Sequence, residues 1–344
     1  MSREQALTVE QKERLRTLLC AMQDAVAAHV IAERDAAVFE DLSRVEAVTE
    51  SDTVYRIDRI SEDAIIEWFE AHWPEDLAVR LVMEGISDSR VLVFPRSTDP
   101  NTVPFTCIVD PVDGTRGLMY DKRSAWVLAG VAHNRGGVAT LADIEVAAMT
   151  ELPVVKQRLA DQLSAIRGLG AAGVRAERVD LVTQARTSLQ PSPSRAEDLH
   201  NGYVGFSRFF PAGKELLARF EERLHTRLYG ADRLAELAIF EDQYICTGGQ
   251  IYELCTGRDR MIADLRPLAH AKLRLHTAMN CHPYDICTVL VLEELGGVVS
   301  QPGGGALDAP LDTTSPVAWV GYANAALARH VGPVMQELLK AHLD

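Results

Sequence analysis

CIVDPVDGTRG, residues 107–117, ends an apolar run in two aspartates, Asp110 and Asp113, separated by Pro111 and Val112. Proline fixes its own φ and presses the residue before it toward an extended conformation, so Asp110 closes a strand and the chain then turns. The turn can aim both carboxylates at one point, with the Val112 carbonyl as a neutral oxygen donor. Ionised carboxylates held this close repel, and a site that gathers several usually gathers a cation too. Oxygen donors without a nearby His or Cys favour magnesium over zinc. Gly114 permits close backbone approach to a ligand, and a helix starting there presents free N–H groups suited to a phosphate. A solvated Asx turn with an ordinary helix cap is the plain alternative.

Two more carboxylates stand at the ends of apolar runs. Val82-Met83-Glu84-Gly85 stops a β-rich stretch at Glu84. His282-Pro283-Tyr284-Asp285 puts Asp285 at the mouth of a helix expected to run to Leu295 and to close at Gly296-Gly297.

The 344 residues suffice for two modest domains or one large one, with 47% hydrophobic and 24% charged side chains, ordinary for a globular chain. A net charge of -14 argues against a nucleic-acid backbone or an anionic membrane as main partner. It leaves room for a small anion, because bound divalent cations invert the sign of an acidic pocket. The cysteines Cys20, Cys107, Cys246, Cys255, Cys281 and Cys287 form no CxxC pair, the opening MSREQALTVEQKERLR lacks the apolar core of a signal peptide, and no apolar run reads as long enough to span a bilayer. The expectation is a reducing cytoplasm and buried thiols. Cys281, His282 and Cys287 are near enough for zinc, but no second ligand pair has a recognisable spacing.

Thr8 to Gln11 fits a capping box before an amphipathic helix toward Val38, and a second helix is expected after Ser61, stopping near Pro74. Strands are expected at 78–83, 91–94, 106–109, 125–132 and 144–149, with a hairpin turn at 167–170 and a linker at Gln190–Ser194. Beyond it, strands are expected at 203–209, 251–254, 298–300 and 317–322, and helices at 214–229, 231–246 and 284–295. Asn324 caps a last helix disturbed at Gly332-Pro333. Strands and helices mixed in this way suggest stacked layers of sheet and helix.

These residues resemble the inositol monophosphatase family, within the wider group of magnesium-dependent, lithium-sensitive sugar and nucleotide phosphatases. Asp110 to Thr115 match the family's Asp-Pro-(Ile/Val)-Asp-Gly-Thr motif without a mismatch, and Asp285 matches its later aspartate before a helix, Gly-Gly and a strand. Glu84 corresponds to its upstream glutamate, and Asp58, in Thr53-Val-Tyr-Arg-Ile-Asp58, to its earlier aspartate. The Arg167–Ala171 turn and Thr247–Glu253 also fit. The departures are Gly85 where the family often has a second glutamate, Arg116-Gly117-Leu118 for the usual Thr-Asn-Phe, Lys122-Arg123 at commonly apolar positions, and extra sequence from Arg258 to Asn280.

The resemblance implies an α/β fold, a layered αβαβα sandwich. An α+β domain, 1–195, carries Glu84 and the DPVDGT motif; an α/β domain, 196–344, carries Asp285. The metals lie in the cleft between. It implies a homodimer and hydrolysis of a small phosphorylated metabolite by a metal-activated water. Glu84, Asp110 and the Val112 carbonyl would hold one Mg²⁺, and Asp110, Asp113 and Asp285 a second. A third ion is in question because of Gly85. Thr115 and Glu84 would orient the nucleophilic water, Asp58 would accept the Thr115 hydroxyl proton, and Gly114 and Thr115 N–H groups would meet phosphate oxygens. Asp113, Glu253 and Arg116 would touch substrate. Asp58 can equally partner Arg56 or Arg59, and Arg116, Lys122 and Arg123 can be solvated surface charge or bind a second phosphate.

Myo-inositol monophosphate is the default substrate; fructose 1,6-bisphosphate, 3'-phosphoadenosine 5'-phosphate and histidinol phosphate are alternatives. Haloacid-dehalogenase-like phosphatases also end a strand in aspartates, but their second aspartate stands two positions beyond the first and here it stands three positions beyond. A non-catalytic phospholigand-binding protein is the reading of another class.

Overall fold

The computed structural model describes residues 6–36, 45–48, 53–87, 89–275 and 279–343, with the side chains of 35–36, 45–48 and 53–58 left aside. Its strands fall into a two-stranded ribbon and two sheets. The ribbon is β1 (Val45–Val48) with β2 (Thr53–Tyr55). The first sheet comprises β3 (Val79–Met83), β4 (Leu92–Phe94), β5 (Phe105–Asp113), β6 (Ala125–His133), β7 (Ile144–Leu152), β8 (Leu159–Ile166), β9 (Arg175–Asp180) and β10 (Arg186–Ser188), in the order β10-β9-β8-β7-β6-β5-β3-β4. All its pairs are antiparallel except β3 with β5. The second comprises β11 (Gly202–Phe206), β12 (Ile239–Phe240), β13 (Asp259–Asp264), β14 (Val298–Ser300) and β15 (Trp319–Tyr322), in the order β12-β11-β13-β15-β14.

Eight α-helices are described: α1 (Val9–Ala36), α2 (Arg56–His72), α3 (Thr115–Met119), α4 (Lys214–Tyr229), α5 (Thr247–Cys255), α6 (Arg266–Lys272), α7 (Val289–Glu294) and α8 (Ala325–His342). Thr8 opens α1 by the reciprocal cap its spacing predicts: the Gln11 N–H donates to Thr8 Oγ1 at 3.2 Å, and the Thr8 N–H to Gln11 Oε1 at 3.0 Å. Leu15, Leu19, Met22, Val26 and Val30 recur at helical spacing and are buried in the core that α1 shares with the first sheet. By length and composition α1 could cross a bilayer, contrary to the expectation from the sequence. Here that apolar face is spent on β7 and β8.

Successive side chains of a strand face opposite ways, and the central strands β5, β6 and β7 of the first sheet are buried on both faces. Cys107 and Val109 of β5, with Val127, Ala129 and Val131 of β6, pack toward α1 and α2. Ile108 of β5, with Trp126 and Leu128 of β6, packs toward the other core, which continues through α5 and α7 to the second sheet and on to α4 and α8. The result is the five-layer αβαβα sandwich expected.

Several elements differ from expectation. β5 runs on through Asp113 instead of stopping at Val109. Residues 231–246 are not a helix: a 3₁₀ turn, Ala231–Glu236, leads into edge strand β12, and Gly230, at φ 91, breaks the chain away from α4. Residues 251–254 are not a strand but part of α5, the ambiguity of any short apolar run. Turns occupy 283–288, so α7 is shorter than expected. Pro333 sits inside α8 without ending it. The longer link, Arg258 to Asn280, contains β13, a strand paired on both sides, and α6.

Candidate metal centre and active site

Asp110 and Asp113 share a strand, and three residues apart on a regular strand they would face opposite sides of the sheet. The structure solves this with a bulge. Asp110 pairs with Leu128 and Asp113 with Trp126, so three steps on β5 oppose two on β6. The extra residue at Pro111-Val112 turns both carboxylates to one side. Asp110 Oδ1 accepts the Val112 N–H at 3.0 Å, which fixes its rotamer.

Glu84 follows β3, the parallel neighbour of β5, and its N–H donates to the Val109 carbonyl at 3.2 Å. Its side chain is hydrogen-bonded to Asp110. Asp285 comes from the turn before α7, and its Oδ2 accepts the His282 N–H at 2.5 Å. Asp110, Asp113 and Asp285 each offer an oxygen within 4.8 Å of the others. Among the described residues this is the one group of such ligands that converges. Cys281 and Cys287 lie instead in the apolar core, and all six cysteines are free thiols.

Asp110 is 1% exposed and Asp113 7%. Burial, then the charges of Asp113 and Asp285, raises the Asp110 carboxyl well above the usual range, against the lowering hydrogen bonds from Glu84 and the Val112 N–H. Burial first, then Asp285, pushes Asp113 up to about 8. Buried carboxylates that repel one another need a compensating charge, and a hard divalent cation fits an all-oxygen donor set.

α5 reaches this cluster from the second half of the chain. The Gly248 N–H donates to Asp113 Oδ2 at 2.5 Å, and the Cys246 thiol donates to the Asp113 carbonyl at 3.2 Å. Cys246 is also the helix N-cap, its Sγ accepting the Gly249 N–H at 3.2 Å. Gly114, at φ 94, is packed so tightly that a Cβ there would lie 2.9 Å from Cys246 Cβ.

Glu84, Asp110, Val112, Asp113, Gly114, Thr115, Arg116 and Asp285 all line one cavity of about 70 Å³, so the structure brings together all but two of the site residues expected from the sequence. The Thr115 hydroxyl donates to the Val112 carbonyl at 2.8 Å. Asp58 lies on α2, and its side chain is outside the described residues. Glu253, expected to touch substrate, lines a separate cavity and pairs with Arg258 at 3.2 Å and Arg123 at 3.5 Å. Arg123 also leaves the metal cavity, stacking 4.0 Å from the Tyr244 ring and pairing with Asp242.

Gly85 has a local reason to lack a side chain. Its φ is 78, and a Cβ would lie 1.8 Å from Glu62 Oε1, itself held by Arg59 at 2.9 Å through Oε2. Sequence reasoning missed Cys246, Phe209, Phe210 and Arg266 as lining residues. The one available signal was Arg266 two residues beyond Asp264, where β13 ends.

No family model matches the chain. Two curated relatives named light-induced protein, chloroplastic, from Solanum demissum and Solanum tuberosum, are 36% identical over 114 residues, 30% of this chain and 35% of each relative. The chain thus spans about a third of those relatives' length. Among solved structures, the extragenic suppressor protein SuhB of Bartonella henselae superposes with a TM-score of 0.62 at 15% identity, covering 95% of this chain and 98% of that one. A putative sedoheptulose-1,7 bisphosphatase of Toxoplasma gondii gives 0.65 at 12% identity, covering 98% and 99%. Fructose-1,6-bisphosphatase of Leishmania major gives 0.63 at 13%, covering 97% and 99%. The chain therefore has the fold of the inositol monophosphatases and their bisphosphatase relatives. Identity this low establishes the fold and not the activity.

Proposed function

We propose that the protein is a Mg²⁺-dependent phosphomonoesterase that hydrolyses a small phosphorylated polyol, sugar or nucleotide. One observation carries the reading: three carboxylates from distant parts of the chain, Asp110, Asp113 and Asp285, converge within 4.8 Å in a cavity. On this fold the neighbours include proteins titled inositol monophosphatase, fructose-1,6-bisphosphatase and sedoheptulose-1,7 bisphosphatase, which supports a phosphatase of that wider group.

Glu84, Asp110 and the Val112 carbonyl would hold one Mg²⁺, and Asp110, Asp113 and Asp285 a second. Bound there, the pair supplies charge neutralisation at the phosphoryl group and a more acidic water. The chain's own part is positioning. Thr115 gives its one hydroxyl hydrogen to Val112, so its oxygen offers lone pairs to a hydrogen of the attacking water. Glu84 stands beside Asp110 to accept the proton that water gives up. Gly114 and Thr115 N–H groups donate to phosphate oxygens, and Gly248 N–H and Cys246 hold Asp113 in its rotamer. The six free thiols suit a reducing cytoplasm, and a homodimer accompanies this reading.

The test is phosphate release from a panel of monoesters and bisphosphates, with and without Mg²⁺ and lithium. Mg²⁺-dependent, lithium-inhibited release supports the reading. Tight binding of a phosphorylated ligand without turnover would favour the phospholigand-binding alternative instead.

A further inference from the structure

The cavity wall away from the aspartates is aromatic and cationic. Arg266, at the start of α6, is 5% exposed and lines the cavity. Its Nε donates to Asp264 Oδ1 at 2.9 Å, its Nη2 to Asp264 Oδ2 at 2.5 Å, and its Nη1 to the Met279 carbonyl at 3.0 Å. Its guanidinium carbon lies 4.5 Å from the Phe209 ring centroid and 5.5 Å from that of Phe210. Arg116, another lining residue, lies 6.0 Å from the same Phe210 ring.

This arrangement fixes the plane of Arg266 and leaves hydrogens on Nη1 and Nη2 beyond those its bonds to Asp264 and Met279 use. Buried donors of a charged group left without an acceptor are costly, so the wall is built for a ligand that accepts. Asp264 does not line the cavity, and its carboxylate is taken by Arg266. Every carboxylate that does line it is one assigned to the metals: Glu84, Asp110, Asp113 and Asp285. A neutral polyol would therefore meet no free carboxylate on this wall, whereas an anion would meet two guanidiniums.

We infer that the substrate carries a second anionic group, a carboxylate or a second phosphate, on the alcohol it releases, and that Arg266 and Arg116 bind it against Phe209 and Phe210. The inference rests on the phosphomonoesterase reading and names its substrate class. Arg266 also joins the loop after β11 to the loop ahead of Asp285, so the same residue shapes the wall and supplies its donors.

Matched pairs test it: glycerol 3-phosphate against 3-phosphoglycerate, and fructose 6-phosphate against fructose 1,6-bisphosphate, each with Mg²⁺. The member of at least one pair that carries the second anionic group should show kcat/KM higher by about tenfold or more, and the pair that does identifies the group. Arg116→Gln and Arg266→Lys should shrink that advantage about tenfold, mainly through KM. Equal kcat/KM within both pairs, or equal losses for both members in the variants, overturns the inference while leaving the phosphatase reading intact. Absence of phosphate release from every compound overturns that reading instead. Calorimetric affinities for the same four compounds then decide the subsite, by the same tenfold criterion. Arg266 is buried and its variant can misfold; Arg116 is only half-buried, and its variant carries the test alone.

Discussion

Asp110 sits where the protein interior disfavours its charge, and that tension separates activity from stability. Burial and two neighbouring carboxylates act against its ionised form. Asp110→Asn keeps an oxygen for the Val112 N–H and removes the repulsion. The variant should lose more than about 10³-fold in phosphate release yet be more stable than wild type in Mg²⁺-free buffer by roughly 1–3 kcal/mol, and so melt higher. A lower melting temperature without Mg²⁺ would contradict the electrostatic account. Gly85 makes a second residue-scale prediction. Gly85→Ala meets both a left-handed φ and the Glu62 carboxylate, and should cost roughly 2–4 kcal/mol in denaturant titrations. Adding Glu62→Ala should recover the steric part and leave about 1 kcal/mol of backbone strain. No recovery in that double-mutant cycle would mean Glu62 is not the obstacle.

Among the elements, β13 shows how placement alters a carboxyl group. Asp259 begins the strand, and burial first, then the Glu253 and Asp242 charges, pushes it up to about 7 from a model-peptide value of 3.8. Between those two values the folded chain keeps a proton that the unfolded chain has released. Stability therefore falls as pH rises from roughly 4 to 7, and the loss is complete above that. Asp259→Asn cannot ionise, so it should match wild type near pH 4 and exceed it at pH 8 by about 1–3 kcal/mol after solvent screening. Urea titrations at the two pH values measure the gap, and a gap independent of pH would exclude this cause. The same strand marks the limit of what the sequence reveals. DPVDGT was readable because proline, aspartate and glycine constrain the backbone locally, and α4 was readable because its apolar residues keep one helical period over sixteen positions. The α5 run, nine residues with eight buried, has no exposed face to betray its period, so strand and helix looked alike. Arg266 was hard to read on other grounds: the local Asp264-x-Arg266 spacing hints at a pair, but its role depends on Met279 and Phe209 meeting it in space, which no local spacing encodes.

At the scale of the whole molecule, the carboxylates proposed to hold Mg²⁺ come from layers that are joined elsewhere by apolar packing and by bonds such as that from the Gly248 N–H to Asp113. Asp110 and Asp113 belong to the first sheet, while Asp285 precedes α7, which packs between that sheet and the second. A cation bound by all three can bind only the folded chain, because the unfolded chain holds residues 113 and 285 at no fixed distance. Mg²⁺ at about a hundred times its Kd should then add about 2.7 kcal/mol to stability, several degrees in Tm. Asp285→Asn keeps the oxygen that accepts the His282 N–H and removes a charge that repels Asp110 and Asp113, so its Tm without Mg²⁺ should equal or exceed that of wild type. The Mg²⁺-dependent rise should shrink to less than about half, because a neutral amide oxygen is a far weaker ligand than a carboxylate. Thermal melts across a Mg²⁺ series, run against matched ionic strength, separate this linkage from general salt effects. An undiminished rise in Asp285→Asn would place the cation on Asp110 and Asp113 alone, and the two halves of the chain would not share it.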